Sequence, residues 1–400
     1  MRADIYFLQF LKDDMVSVGG GGIGTLISYL CPLLEGMGFG TTVYQCAGHR
    51  FDAMFGATRV VGIPGYPAPG RSNEVVAGHL RDVARKEAGT DDRLEIFAAD
   101  FFSVANKNPL AVAVQNGLAW DAAVEHLTSS KLYQNAWGEK IFRYRCQMRG
   151  LRRFETCYNR VAVDLYFINW YRSFRGARLN GRVWYNPNPA PVAAWDARRD
   201  TRSAHNGPLK IIFARRFVPE KGTRVIAEVF SDLLRLRPEI EITLAGEGPE
   251  QEFFASTFSG DRRVTITSYR TEDALLVHSR HDIAAVPSLC GEATCLAVLE
   301  AMAAGCAVVA TNMGGTITEI IDGFNGRLCW PKREALLEAL IDVIDSDDRR
   351  LRFQKNGWEV SQRAFRLDDW QTRWKAIIDE VIAGRELAAR DIGRNGRGKL

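Results

Sequence analysis

Short apolar runs recur along the chain, each followed by a stretch whose apolar residues fall at helical spacing. After a first strand at residues 5–10, strands are predicted at 41–46, 58–62, 93–98, 111–115 and 163–168. A second series follows at 209–214, 240–245, 263–266, 282–287 and 306–311. Strands that alternate with helices pair in parallel, so each series predicts an α/β half with a Rossmann-like sheet. Between them, NPNPAPVAAWDARRDTRSAHNGP at 186–208 is rich in Pro, Asn, Ala and charge, as expected where two domains meet. The expected organisation is an N-terminal domain at 1–190, a linker at 191–208, a second domain at 209–366, an amphipathic helix at 367–385 carrying Trp370 and Trp374, and a tail at 386–400 that frays. No internal repeat is present.

Candidate chemistry concentrates at 286–305, VPSLCGEATCLAVLEAMAAG. A strand at 282–287 is followed by a predicted helix at 293–304, stopped by Gly305. The unpaired amides expected at Thr294, Cys295 and Leu296, with the positive end of the helix dipole, form a site for phosphate or diphosphate. Glu292 stands beside that anion and Glu300 lies eight residues on, roughly 12 Å along a helix axis. Every residue from 296 to 304 except Glu300 is apolar, so this acid is expected to be buried and to need a partner or ligand. A Glu at a helix start is favoured by the dipole alone, which leaves a bland reading open for Glu292. One acid can accept from a ribose diol and the other from the hydroxyls of a sugar, so the span suits a nucleotide sugar.

Cations to offset two acids are supplied at 209–222, LKIIFARRFVPEKG. A strand ends in Arg215 and Arg216, a short loop follows, and Lys221 and Gly222 precede the next helix. Arg216 and Lys221 thus flank a strand-to-helix crevice as charge clamps for a leaving diphosphate. The loop GGGGIG at 19–24, with Gly21 and Gly22 at its centre, follows the first strand too distantly for a dinucleotide fingerprint, and no acid closes the next strand. It is better read as a glycine loop approaching substrate phosphate or sugar.

With these residues in view the chain resembles glycosyltransferase family 4, the large retaining family of GT-B architecture. The resemblance rests on E-x7-E at Glu292 to Glu300, R-x4-K at Arg216 to Lys221, AGEGP at 245–249, Pro287-Ser288, VVAT at 308–311, Gly314-Gly315 and GGIG at 21–24. It implies two Rossmann-like domains with parallel sheets facing across a cleft, and a last helix that returns to the first domain. It also implies that Glu300 holds the ribose, Glu292 contacts the donor sugar, and Arg216 and Lys221 hold the diphosphate. Arg215 and Ser268 stand where the family commonly has glycine, and Asn116 where a donor-contacting histidine is frequent. Asparagine hydrogen-bonds but does not titrate, which argues against histidine base chemistry.

The implied activity is retaining transfer of a sugar from a nucleoside diphosphate donor to a hydroxyl of a glycan, glycolipid or other acceptor, in surface polysaccharide or glycoconjugate assembly. The alternatives are a non-catalytic nucleotide-sugar-binding subunit or another GT-B enzyme such as an epimerase. No cofactor and no metal are expected. The only DxD, Asp345-Ser346-Asp347, reads as a helix end, and the six histidines lack ligand spacing.

Composition changes the picture in two places. The chain is 46% hydrophobic and 25% charged, with eight cysteines and no CxxC pair, which points to reduced thiols and a cytoplasmic setting. The six-residue apolar start reads as a strand and not as a signal peptide. Charge is uneven: residues 140–182 hold eleven Lys or Arg against two acids, while the whole chain is +4. Aromatics interleave with this basic stretch, which makes an anionic membrane surface with a lipid-linked acceptor a candidate partner at the inner face of the membrane. A solvated helix face explains the same residues, and no nucleic-acid motif accompanies them.

Overall fold

The computed structural model describes residues 1–19, 21–64, 72–88, 93–122, 135–176, 181–196 and 207–395. The chain divides into two units, Met1–Asn116 with Tyr144–Pro187 and Trp370–Leu400, and Gly117–Arg143 with Asn188–Asp369. The final segment groups with the first unit. The 1–190 boundary needs correction, because residues 117–143 group with the second.

The strands are β1 (Arg2–Phe7), β2 (Gly40–Ala47), β3 (Phe51–Phe55), β4 (Thr58–Pro64), β5 (Arg93–Phe97), β6 (Ala111–Gln115), β7 (Leu118–Ala122), β8 (Asn159–Ala162) and β9 (Arg182–Tyr185). All but β7 build the first unit's sheet, in the order β3-β4-β2-β1-β5-β6-β8-β9, parallel throughout except for β3 against β4. Its central strands are buried along their length, as parallel strands covered on both faces must be. The helix Leu367–Ala383 inserts Trp370 and Trp374, both buried, and Asn186 Nδ2 donates to the Trp370 carbonyl at 3.2 Å.

Two expectations fail here. The strand expected at 163–168 is instead β8 at 159–162 followed by the helix Leu165–Arg175. Asp164 caps that helix by accepting the Phe167 amide at 2.6 Å, and an aspartate in this role ends a strand and starts a helix. The tail does not fray from 386, because Arg385–Asn395 is helical, Ala388 is buried, and Tyr158 donates to Asp391 at 2.8 Å. Residues 396–400 lie outside the described residues.

The second unit continues with β10 (Leu209–Ala214), β11 (Ile240–Ala245), β12 (Val264–Thr267), β13 (Ile283–Val286), β14 (Cys290–Gly291), β15 (Ala307–Thr311) and β16 (Arg327–Cys329). Its parallel sheet runs β12-β11-β10-β13-β15-β16. Alternation along the strands sorts the core into two layers. Ile211, Phe213, Ile283, Ala285, Ala307 and Val309 pack under the helix Thr223–Leu236 and its neighbours. Ile212, Ala214, Ala284, Val286, Val308 and Ala310 pack with Val298, Ala301 and Met302 of the helix Leu296–Ala303. Burial on both faces explains why the sequence shows continuous apolar runs in place of alternation. The strand order reverses between β10 and β13, and the crevice at their carboxyl ends is where such sheets take ligands.

The expected linker is not a free tether over its described part. Ala190 donates to the Phe365 carbonyl at 2.8 Å, Ala193 to Gln362 Oε1 at 3.0 Å, and Trp195 packs on Trp358. Residues 197–206 lie outside the described residues.

Candidate active site

At the β10/β13 switch point the chain after each strand contributes charge. Arg215 leaves the end of β10 with its amide bonded to the Ala245 carbonyl at 3.0 Å. A 3-10 turn at Pro219–Lys221 then brings Lys221 back. From the β13 side come Ser288 and Glu292. Arg215 Nη2 donates to Glu292 Oε1 at 2.8 Å, Lys221 Nζ to the same oxygen at 2.7 Å, and Ser288 Oγ to it at 2.6 Å. Arg215 Nη1 also donates to Ser288 Oγ at 2.7 Å. Burial alone would push the Glu292 carboxyl up. The facing charges of Arg215 and Lys221, with hydrogen bonds from Lys221 and Ser288, reverse that and hold it well below the usual carboxylate range.

The backbone of Glu292 is equally constrained. It forms a bridge with Gly314, and its carbonyl accepts the Gly315 amide at 2.7 Å. Gly314 has φ 59°, and a Cβ there would strike the Glu292 backbone, so only glycine permits this approach. This bridge explains why the helix starts later than expected. Residues 292–295 stay outside the helix, Cys295 becomes the N-cap, and the helix spans Leu296–Ala303. Glu292 is therefore not at a helix start, and a separation measured along one continuous helix does not apply.

Of the three amides expected to be open, the one at Cys295 is taken. The Cys295 amide donates to the buried Glu319 carboxylate, and Thr294 Oγ1 accepts the Asn188 amide at 3.1 Å. Leu296 remains half-buried, with no partner for its amide among the described residues.

Glu300 is half-buried and makes no side-chain hydrogen bond among the described residues. Burial pushes its carboxyl up to about 7, with Arg215 pulling the other way. Tyr269 is raised by burial and by the charge of Glu300, which places the phenol near the acid. The two glutamates thus share Arg215 as an electrostatic neighbour, and their carboxyls shift in opposite directions. Arg216, the expected clamp, is exposed and makes no side-chain bond among the described residues. The sequence placed Arg215 at a strand end but gave the clamp to Arg216; the Ser288–Glu292 spacing was the further signal for its role.

A two-stranded antiparallel pair borders this crevice. β7 pairs with β14, Cys290 opposite Ala122 and Gly291 opposite Leu118. A Cβ at Gly291 would lie 2.8 Å from Asp121 Oδ2 and from the Leu118 Cβ, so the missing side chain admits β7. Asp121 is raised by burial and lowered by Arg143.

The remaining candidates lie in the first unit. Gly21 caps the helix Gly22–Gly36 with φ 59° and ψ −139°, and its carbonyl accepts the Thr25 amide at 3.2 Å. The helix starts at Gly22, inside the predicted glycine loop, and Gly20 is outside the described residues. Asn116 follows β6, and its Nδ2 donates to the Ala98 carbonyl at 2.7 Å. Beside it lies Asp100, whose carboxyl burial pushes up to about 7 against the hydrogen bond from the Asn116 amide. The sequence reading did not single out Asp100. The DxD segment is a helix junction, since Asp345 caps the helix Arg333–Ile344 and Ser346 caps the helix that follows.

Residues 196–360 match the family model described as glycosyl transferases group 1. Through that region the chain is similar to this family. The chain is 31% identical over 189 residues to a glycogen synthase of Mycobacterium tuberculosis, covering 46% of itself and 45% of that protein. It is 30% identical over 200 residues to a phosphatidyl-myo-inositol mannosyltransferase of Mycolicibacterium smegmatis, covering 49% and 50%. The matched stretch thus spans about half the length of these relatives. By fold it is similar to a sucrose-phosphate synthase of Thermosynechococcus elongatus, with TM-score 0.73, 17% identity and coverage of 96% and 100%. It is also similar to Anabaena HepE in complex with UDP and glucose, with TM-score 0.68, 15% identity and coverage of 95% and 99%. The fold is GT-B, with two parallel-sheet α/β units.

Proposed function

We propose that the chain is a retaining glycosyltransferase that moves a sugar from a nucleoside diphosphate donor to a hydroxyl of a glycan or lipid-linked acceptor, in surface polysaccharide or glycoconjugate assembly. The observation that carries this reading is the pairing, at one switch point, of an ionised Glu292 held by Arg215 and Lys221 with a Glu300 that makes no side-chain hydrogen bond among the described residues. Glu300 accepts from the ribose diol and Glu292 from the sugar hydroxyls. Lys221, exposed Arg216 and the Leu296 amide face the diphosphate.

Retention follows if the acceptor hydroxyl attacks the anomeric carbon from the face the diphosphate leaves. The C–O bond to phosphate breaks with its electron pair, the new C–O bond forms, and the departing phosphate oxygen takes the hydroxyl proton. Charge on that oxygen is met by Lys221 and Arg216, so the proposed reaction needs no divalent cation and proceeds in chelator. The setting proposed is the cytoplasmic face of a membrane, supported by the basic helix Ala136–Phe154, whose exposed Trp137, Ile141 and Tyr144 alternate with Lys140, Arg145, Arg149 and Arg152. No helix among the described residues is long and apolar enough to cross a membrane.

The test is thermal stabilisation and sugar transfer with UDP-, GDP-, ADP- and dTDP-sugars in chelator. One donor class is expected to stabilise the protein and be consumed, with Glu300→Ala losing the shift and Lys221→Ala losing roughly 10²- to 10³-fold in turnover. Full activity in Lys221→Ala would remove the assignment. Donor binding without transfer to any acceptor would favour the non-catalytic subunit.

A further inference from the structure

Three donors converge on a single oxygen of Glu292, and this asymmetry is informative. Oε1 receives Arg215 Nη2, Lys221 Nζ and Ser288 Oγ, whereas Oε2 has no partner among the described residues. The backbone beneath the carboxylate is locked by Gly314 and Gly315. Arg215 is itself locked, since its amide is bonded at the end of β10, its side chain is only 7% exposed and its second Nη holds Ser288. The guanidinium fork therefore grips two residues of the β13 loop at once, which a point charge does not reproduce.

We infer that Arg215 is the positioning residue for the donor sugar: by fixing Glu292 through Oε1 it presents Oε2, in one orientation, to the hydroxyls of the transferred sugar. The inference rests on the transferase reading above and adds a division of labour among the cations. Arg215 is committed to the acid and through it to the sugar, and exposed Arg216 is left for the phosphates. Lys221, with three donor hydrogens, serves both. A merely structural ion pair is the competing account, since burying such a pair adds little net stability and breaking it costs a good deal.

Turnover therefore has to be separated from folding and from nucleotide binding. Arg215→Lys keeps the charge and loses the fork, and so is expected to fold. Its affinity for the nucleoside diphosphate alone should stay within about twofold of wild type, while turnover falls about tenfold to a hundredfold, the range expected when a reacting group is misplaced by about 1 Å. In a Glu292→Gln background the same substitution should add almost nothing, because both changes remove one interaction. Wild-type turnover in Arg215→Lys, or losses that multiply with those of Glu292→Gln, overturns the inference. A parallel fall in nucleoside diphosphate affinity also overturns it, by making Arg215 a phosphate ligand. A wild-type chain that transfers no sugar from any donor removes the transferase reading and this inference together, whereas an active wild type matched by an equally active Arg215→Lys removes the inference alone.

Discussion

Glu300 and Glu292 are chemically identical side chains separated by eight positions, and their surroundings drive them apart. Glu292 is kept ionised by two cations, while Glu300 is raised to about 7 by burial. An ionised carboxylate accepts two hydroxyl hydrogens and a protonated one gives up part of that capacity. Binding to a ribose diol should therefore favour the charged form and release a proton. Affinity for a nucleoside diphosphate is expected to rise about tenfold between pH 6 and pH 8 and then level off, with the slope absent in Glu300→Gln. Calorimetric titration across that range checks it; a flat profile in the wild type would assign the ribose elsewhere. Both acids were legible in the sequence because they break an apolar run. Arg215 was not, since adjacent arginines at a strand end are equivalent until backbone geometry sends one inward and one outward.

At the scale of elements, the site depends on a strand contributed from afar. β7 lies against β14 because Gly291 has no side chain, and its partner residue Leu118 and neighbour Asp121 fill that space. Gly291→Ala should overpack the contact and lower stability by about 1–3 kcal/mol, read as a lower thermal midpoint, with turnover falling as Glu292 next door shifts. An unchanged midpoint would show that β7 contributes little. The pattern of hydrophobic positions located most strands of both sheets to within a few residues, because continuously buried parallel strands leave long apolar runs. It misplaced the helix after β14, where a single long-range bridge from Glu292 to Gly314 overrides local propensity. It also missed β8, where the Asp164 cap outweighs the apolar run that follows. The helix Ala136–Phe154 exposes Trp137 at 76%, Tyr144 at 56% and Ile141 at 53% among its cations. Vesicles rich in anionic lipid are expected to pellet the protein at low salt, and Trp137→Ser with Tyr144→Ser to abolish it. Equal pelleting with zwitterionic vesicles, or none, would leave the stripe as a solvated face.

For the molecule as a whole, one buried histidine sets an acid limit. His278 is 1% exposed, neither ring nitrogen has a hydrogen-bond partner among the described residues, and burial lowers its pKa to about 3. The unfolded chain binds this proton near pH 6.5 and the folded chain does not, so the stability conferred is intact above 6.5 and lost as pH falls toward 3. At pH 5 the loss amounts to about 2 kcal/mol from this group alone. His281, also lowered by burial, acts in the same direction. Denaturant melts at pH 7 and pH 5 should show a smaller acid penalty in His278→Leu; an equal penalty would point to other groups.

Neither unit is a continuous stretch of chain. β7 leaves the ribosome well before its partner strand at Cys290–Gly291 has been translated, and the first unit waits for Trp370 and Trp374 until the second unit has been made. The nascent protein must hold the first unit's sheet without its closing helix while the whole second unit is made. A fragment cut at the apparent linker inherits the same deficit, since it lacks β7 on one side and the closing tryptophans on the other.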